Sequence, residues 1–226
     1  MGNDFSEQSA VVKDLTWYGA DLFELTLTRE GLEFTPGECV SLFSEDRAVS
    51  RPYSIASGIS ESVLRFLIRK VPGGTITGYL ASRRPGDCVR LSQPFGWFHP
   101  GQNGQGVPAV FVATGTGIAP FLSYLKSDPV QAPAQCLYGV RQLKDAVGLD
   151  CLQDHGHVDL AVSRQVVPDT YHGRVSGLLE SLPVETKSHF YLCGLDAMID
   201  TVGNWLEARG VDPFRIHREV FFNASY

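Results

Sequence analysis

The chain has 226 residues, 43% hydrophobic and 19% charged, with a formal net charge of −6. That length suits two domains of about 100 residues each, and the apolar share gives both a core. The acidic balance argues against a general nucleic-acid binder, no apolar run reaches the roughly 18 residues of a membrane span, and the five cysteines (39, 88, 136, 151 and 193) are too widely spaced for a zinc or iron–sulfur site, so no metal is expected.

The opening MGNDFSEQSA has no basic region followed by an apolar stretch and reads as no secretory signal. Together with cysteines that read as reduced thiols, this gives a cytoplasmic expectation. ADLFELTLTR (20–29) alternates apolar and polar residues around Leu22, Leu25 and Leu27. VSRPYSIASG (49–58) fixes an arginine, a proline, an aromatic and a serine in one order, with Ile55 supplying strand propensity. ESVLRFLIRKV (61–71) is a short apolar run, and PGDCVRLSQP (85–94) is a turn followed by a strand. Pro36-Gly37 and Pro85-Gly86 mark turns. RKVPGGTIT (69–77) leads through a glycine turn, with Thr75 or Thr77 as a cap, into a short helix over 76–82. Many short strands without long helical patterns predict an antiparallel barrel over residues 1–100. HPGQNGQGVP (99–108) is the linker, and a second domain runs over 107–226.

That second half alternates. AVFVAT (109–114), AQCLYGV (134–140), HVDLAVS (157–163), SHFYLCG (188–194) and RIHREVFF (215–222) read as strands. APFLSYLKS (119–127), LKDAVGLDCLQDH (143–155), GRVSGLLESL (173–182) and DAMIDTVGNWLEARG (196–210) read as helices. The alternation predicts a Rossmann-like parallel α/β sheet with helices on both faces. Ligands then sit at the strand C-termini, here Thr114, Tyr138, Ser163 and Cys193.

Three motifs lie at those ends. In ATGTGIAP (113–120), Gly115 and Gly117 allow close backbone approach to a phosphate, and Pro120 stands where a third glycine would complete a dinucleotide fingerprint. The same residues also fit a strand–helix turn with no ligand. Ser163 and Arg164, with Arg141 and Arg174, could converge on a 2′-phosphate, favouring NADP over NAD, although any one of them alone fits a solvated surface arginine. Cys193 precedes Gly194 and a helix, which would leave it partly exposed beside amide dipoles; the plainer reading is a small buried hydrophobe.

The succession RPYS, basic-and-glycine turn, ATGTGIAP, SR, CG and an acidic–aromatic tail resembles the ferredoxin–NADP reductase family of flavoproteins, from about residue 10 to the end. The resemblance implies an FAD-binding β-barrel followed by an NADP-binding α/β domain. Arg51 would bind the FAD pyrophosphate, Tyr53 would pack on the flavin with Pro52 beside it, and Ser54 would hydrogen-bond near flavin N5. Ile68 and Arg69 match the strand lining FAD. Gly74, Ile76 and Thr77 match the pyrophosphate turn, and Thr116 is grouped with the FAD residues. Thr114, Gly115, Thr116 and Gly117, with Gly194 and Leu195, would serve NADP(H), and Ser163, Arg164, Arg174 and Arg141 its 2′-phosphate. Cys193 falls beside the nicotinamide, and Glu219 would hold a proton or orient Ser54. Plant-type members end at E-V-Y, whereas this chain reads Glu219-Val220-Phe221 and continues FNASY, as the bacterial branch does. Phe221 would cover the flavin, and Phe222 or Tyr226 could stack on the adenine.

The implied activity passes hydride between NADPH and FAD and single electrons to a ferredoxin or flavodoxin, with the protein as a monomer. Arg65, Arg69, Lys70, Arg83 and Arg84 could form a basic docking face for such a partner. Open alternatives are an NAD(P)H-dependent reductase component of an oxygenase, a flavin reductase, an FAD-binding electron-transfer subunit and a plain dinucleotide-binding module. Deleting residues 222–226 is expected to weaken FAD retention, read as FAD content after gel filtration.

Overall fold

In a computed structural model the chain is described over residues 7–102, 106–127, 129 and 131–221. The first half contains β1 (Gln8–Trp17), β2 (Leu22–Thr28), β3 (Cys39–Phe43), β4 (Ser50–Ser54), β5 (Val63–Arg69), α1 (Thr75–Ala81) and β6 (Cys88–Leu91). They form one six-stranded antiparallel sheet in the order β4-β3-β6-β1-β2-β5. The sheet curls as a barrel does without closing a ring of ladders. Beyond the end of β4, Ala56 N–H donates to Arg65 O of β5 at 2.8 Å. Pro52, which has no N–H to give, lies in the edge strand β4, where a proline is tolerated.

The apolar patterns of β2 and β5 have a structural cause. Side chains alternate across a strand, and here both faces are covered. Phe23, Leu25 and Leu27 of β2, with Leu64, Phe66 and Ile68 of β5, fill the core of the first half. Leu22 and Leu67 point the other way, into a cluster shared with the second half. The run VLRFLIR is therefore nearly continuous in apolar residues because two cores draw on it.

The second half holds β7 (Ala109–Thr114), α2 (Ala119–Leu125), β8 (Gln135–Val140), α3 (Leu149–His155), β9 (Val158–Val162), β10 (Tyr171–His172), β11 (His189–Gly194), α4 (Asp196–Glu207) and β12 (Ile216–Val220). Its sheet is parallel throughout, in the order β10-β9-β8-β7-β11-β12. Val110, Val112 and Leu192 pack with α4 on one face, while Phe111, Tyr138 and Tyr191 pack with α2 and α3 on the other. The second of these faces meets the first half. Phe121 stacks on Phe111 at 4.4 Å, and Phe98 wedges edge-on against Phe121 and Tyr191, both at 5.7 Å. Buried hydrogen bonding joins the halves as well: Ser123 Oγ donates to Ser57 O at 2.8 Å.

Some elements differ from expectation. The helix over 143–155 is interrupted, because Leu143–Asp145 forms a 3₁₀ turn and Gly148 takes φ +76 before α3 begins. Gly148 also comes close enough to Leu122 that a Cβ would collide with it. The helix over 173–182 is a 3₁₀ helix, Val175–Ser181. Tyr138 is interior to β8 and fully buried rather than at a strand end. Strands β1, β3 and β10 carry no clean period that marks them in the sequence. In the linker, Gly101 lies so close to Tyr124 that any side chain there would strike the ring.

Phe121→Ala removes a ring that both halves touch. It should destabilise the chain by about 3–5 kcal/mol, lowering the midpoints of both halves together in urea unfolding followed by circular dichroism.

Candidate functional site

The last residue of β4, Ser54, faces the C-terminal edge of the parallel sheet. Its Oγ donates to Glu219 Oε1 on β12 at 3.0 Å, a contact between residues 165 positions apart. Register sets the neighbours: Glu219 lies opposite Cys193 on β11, and Cys39 on β3 lies opposite Ser54. Glu219 Oε2 is buried, with no hydrogen-bond partner among the described residues. Burial pushes the Glu219 carboxyl up to about 7, partly opposed by the bond from Ser54. Burial, then the nearby Glu219, holds the Cys193 thiol well above its usual range and raises Cys39 to about 12. One carboxyl and two thiols thus crowd together with their neutral forms favoured. Cys193 is not partly exposed: its position inside β11 turns it into the core, where it is fully buried.

Two turns interlock above these groups. Gly115 takes φ +54 after β7, and a side chain on Gly117 would run into the Cys193 carbonyl. Gly194, the last residue of β11, takes φ +134, leaving no room between it and Thr114. Thr114 Oγ1 accepts from Leu195 N–H at 2.9 Å, and Phe221 N–H donates to Gly194 O at 2.8 Å. The structure therefore gathers Ser54, Glu219, Cys193, Thr114, Gly117, Gly194, Leu195 and Phe221 at one edge, with Thr116 in the 3₁₀ turn beside them. A cleft of about 520 Å³ opens there, lined among others by Trp97, His217, Arg218 and Glu219.

The arginines form a second locus. Arg141 follows β8, Ser163 and Arg164 follow β9, and Arg174 follows β10, so all four residues stand at the C-terminal ends of three adjacent strands. Arg164 N–H donates to Arg141 O at 2.8 Å, and Ser163 Oγ donates to Val140 O at 3.2 Å. The three arginines are exposed.

In the first half, Arg51 and Pro52 are exposed on β4, and burial lifts the half-buried Tyr53 phenol to about 12 against the pull of Arg51. Ile76 is buried, and Thr77 Oγ1 accepts from Val71 N–H at 3.1 Å, drawing the glycine turn closed ahead of α1. The Ile68 side chain is in the core of the first half. Arg69 pairs with Asp21 at 2.6 Å and with Asp145 of the second half at 3.4 Å, while Arg141 reaches Asp21 at 3.7 Å. Arg65 pairs with Glu24 and Glu61, and Arg83 lies over the Tyr79 ring and beside Asp87. Much of the expected basic face is thus internally neutralised. Phe222 and Tyr226 lie outside the described residues.

Sequence reasoning missed Asp21 and Asp145, which no spacing marks. It also missed His217, although a period of two back from Glu219 would have placed it on the same strand face.

Comparison with known proteins agrees with this layout. Residues 5–99 match the oxidoreductase FAD-binding domain and residues 111–204 the oxidoreductase NAD-binding domain. The toluate 1,2-dioxygenase electron transfer component of Pseudomonas putida is 31% identical over 84% of this chain and 59% of its own length. The reductase subunit of an aromatic O-demethylase from an Amycolatopsis species is 31% identical over 87% of this chain and 63% of its own. The chain thus spans about three fifths of the curated relatives it matches. Among solved structures, an Amycolatopsis cytochrome P450 reductase superposes with a TM-score of 0.84 at 28% identity, covering 97% of this chain and 71% of that one. A ferredoxin–NADP+ reductase from Neisseria gonorrhoeae shares the fold with a TM-score of 0.83 at 20% identity, covering 96% and 99%.

The buried acid has a consequence for stability. A carboxyl raised from 4.5 to about 7 binds its proton more tightly in the folded chain than in the unfolded one. Its contribution is therefore favourable at low pH and is lost as pH rises from about 4.5 through about 7. Glu219→Gln should flatten that decline, making the variant more stable than wild type at pH 8 but not at pH 4.5, as urea unfolding across pH will show.

Proposed function

We propose that this chain, which carries the oxidoreductase FAD-binding and NAD-binding domains, is a flavoprotein of the ferredoxin–NADP reductase family that takes hydride from NADPH onto a bound FAD and passes electrons singly to a separate redox protein. The observation that carries this reading is the Ser54–Glu219 hydrogen bond, which sets a hydroxyl from the FAD-binding half against an acid from the nucleotide-binding half, beside Cys193.

The residues present fit both ligands. Gly115 has a left-handed backbone and open space where a Cβ would be, so amides can approach a pyrophosphate closely. Glu219 Oε2 is a buried polar atom awaiting a partner. Arg51 and the 74–77 turn would hold the FAD pyrophosphate, with Gly74, Ile76 and Thr77 offering backbone. Tyr53, Pro52, Ile68 and Phe221 would bound the flavin. Thr114, Thr116, Gly117, Gly194 and Leu195 would seat NADPH. Arg141, Ser163, Arg164 and Arg174 would take its 2′-phosphate. Flavin, when bound, supplies the conversion of a two-electron hydride into single electrons. Ser54, whose proton goes to Glu219, would turn its hydroxyl oxygen toward the redox atom, Cys193 would meet the nicotinamide only once Phe221, packed against the same cluster, moves aside, and Glu219 would hold a proton near neutral pH. Alignment and exclusion of water are the protein's contribution.

The acceptor is a ferredoxin or flavodoxin, or an oxygenase component as in the dioxygenase and demethylase relatives, which favours the oxygenase-linked form of the activity. The five cysteines have no cluster spacing, which supports an acceptor outside the chain. Domains over 1–100 and 107–226, a monomeric state and a cytoplasmic location complete the reading. Among the described residues no helix is long and apolar enough to cross a membrane.

Anaerobic absorbance titration tests it. The purified protein should be yellow and should bleach with NADPH at concentrations on the order of 10²-fold or more below NADH, as two lost charge-assisted phosphate contacts predict. An equal response would assign the protein to the NADH-linked oxygenase reductases, and no bleaching by either would defeat the reading.

A further inference from the structure

We propose that His217 and His189 form a proton path connecting Glu219 to solvent along the inner face of β11 and β12. Residues two apart on a strand share a face. On β11 that face carries His189, Tyr191 and Cys193, and on β12 it carries His217 and Glu219. Register sets Tyr191 opposite His217 and Cys193 opposite Glu219. The polar groups thus form a stripe leading away from the C-terminal edge, flanked by the core rings of Tyr191 and Phe98.

The two imidazoles are built into this stripe. His189 Nδ1 and His217 Nε2 lie 2.8 Å apart, so one nitrogen donates and the other accepts. Passing a proton across that bond requires only an exchange of tautomers. The His217 ring stacks on Tyr191 at 4.4 Å and 15°, which fixes its plane. Half-buried imidazoles are costly unless their nitrogens are bonded, and aliphatic side chains would fill the same positions without that cost. Burial keeps both rings below the ordinary imidazole value, helped by Arg215 at His189 and by His189 at His217. This favours the neutral form, which has one donor and one acceptor, as a relay needs. At the inner end, Glu219 Oε2 is buried without a partner and shares the cleft with His217. Their Cα atoms are roughly 6.6 Å apart by strand geometry, a separation that one bridging water spans.

The inference rests on the redox reading above. A hydride carries one proton and two electrons. When the electrons leave singly to the acceptor, the proton stays behind and must leave by itself. It passes to Glu219 by way of the Ser54 hydroxyl, then to His217, His189 and water. Each transfer forms one O–H or N–H bond as another breaks, and no side chain is oxidised or reduced. The other ionisable groups facing the stripe are Cys39, Cys193, Tyr191 with Tyr124 behind it, and Arg215; Arg218 points to the opposite face, where it pairs with Glu207 of α4. The raised thiols and phenol stay neutral over the working range, which leaves Glu219 and the two histidines to titrate.

Two measurements decide it. Histidine ring NMR of the holoprotein, wild type against Glu219→Gln, should show the His217 midpoint moving by roughly half a pH unit or more, as a charge about 7 Å away predicts; an unmoved midpoint overturns the link. His217→Phe keeps the stack on Tyr191 but carries no proton, with His217→Gln as the second variant should Phe fold poorly. Dithionite-reduced holoprotein reoxidised by ferricyanide should slow roughly tenfold or more in the variant, with the rate recovering on added imidazole. A wild-type rate in the variant, or a slow rate that imidazole leaves unchanged, overturns the path. A wild-type protein that retains no flavin would defeat the redox reading instead, and the same NMR comparison on that protein would still decide whether His217 and Glu219 are coupled.

Discussion

One hydrogen bond, from Ser54 to Glu219, organises the site. It forms only if an edge strand of an antiparallel sheet ends against the C-terminal edge of a parallel one, and nothing local in either sequence segment requires that meeting. Once it forms, Glu219 loses its water, and with that its preference for ionisation. The neutral character of Cys39 and Cys193 follows from the same closure, because each thiol is disfavoured as an anion by burial and then by the acid beside it. The chemistry of the site is thus a result of packing between halves rather than of any single motif.

The meeting is held by a core that both halves share. Leu22 and Leu67 from the first sheet join Phe111, Phe121 and Tyr191 from the second, with Phe98 between them. Polar contacts tie the same seam: Ser123 to the Ser57 carbonyl, and Arg69 between Asp21 and Asp145. Functional groups placed by rigid elements keep tighter geometry than groups carried on loops. Arg69, exposed enough to pair with acids of both halves, bridges the seam.

The sequence made the architecture readable wherever periodicity was undiluted. The parallel strands are short, apolar and separated by glycine turns, so AVFVAT and SHFYLCG stand out. Strands β1 and β3 do not, because their exposure pattern is irregular. The helix expected over 143–155 was misread as continuous because apolar spacing cannot register the left-handed Gly148, and the one over 173–182 because periods of 3.0 and 3.6 look alike across two turns. At the site, Ser54, Glu219 and the glycine turns were legible through motif order, since each needs a particular residue type at a particular place. The burial of Cys193 matches the plainer of its two sequence readings, but what decides between them, the face of β11 that the pleat turns inward, is not marked in the sequence. The Asp21–Arg69–Asp145 bridge was hidden for a related reason, as ion pairs between distant segments leave no spacing to read.

The approach of Gly101 to Tyr124 makes this end of the connection a splint rather than a tether. A flexible linker tolerates insertion and exchange, and it lets domains be recombined like beads. Here Gly101 is held against α2, and the Tyr124 hydroxyl is itself bonded to the Gln131 carbonyl at 2.8 Å. Swapping either half for one from another protein would mean re-cutting this joint and the shared core together. The two halves are accordingly one mechanical unit, and a load applied to either would be felt in the other through the Gly101–Tyr124 contact and the shared core.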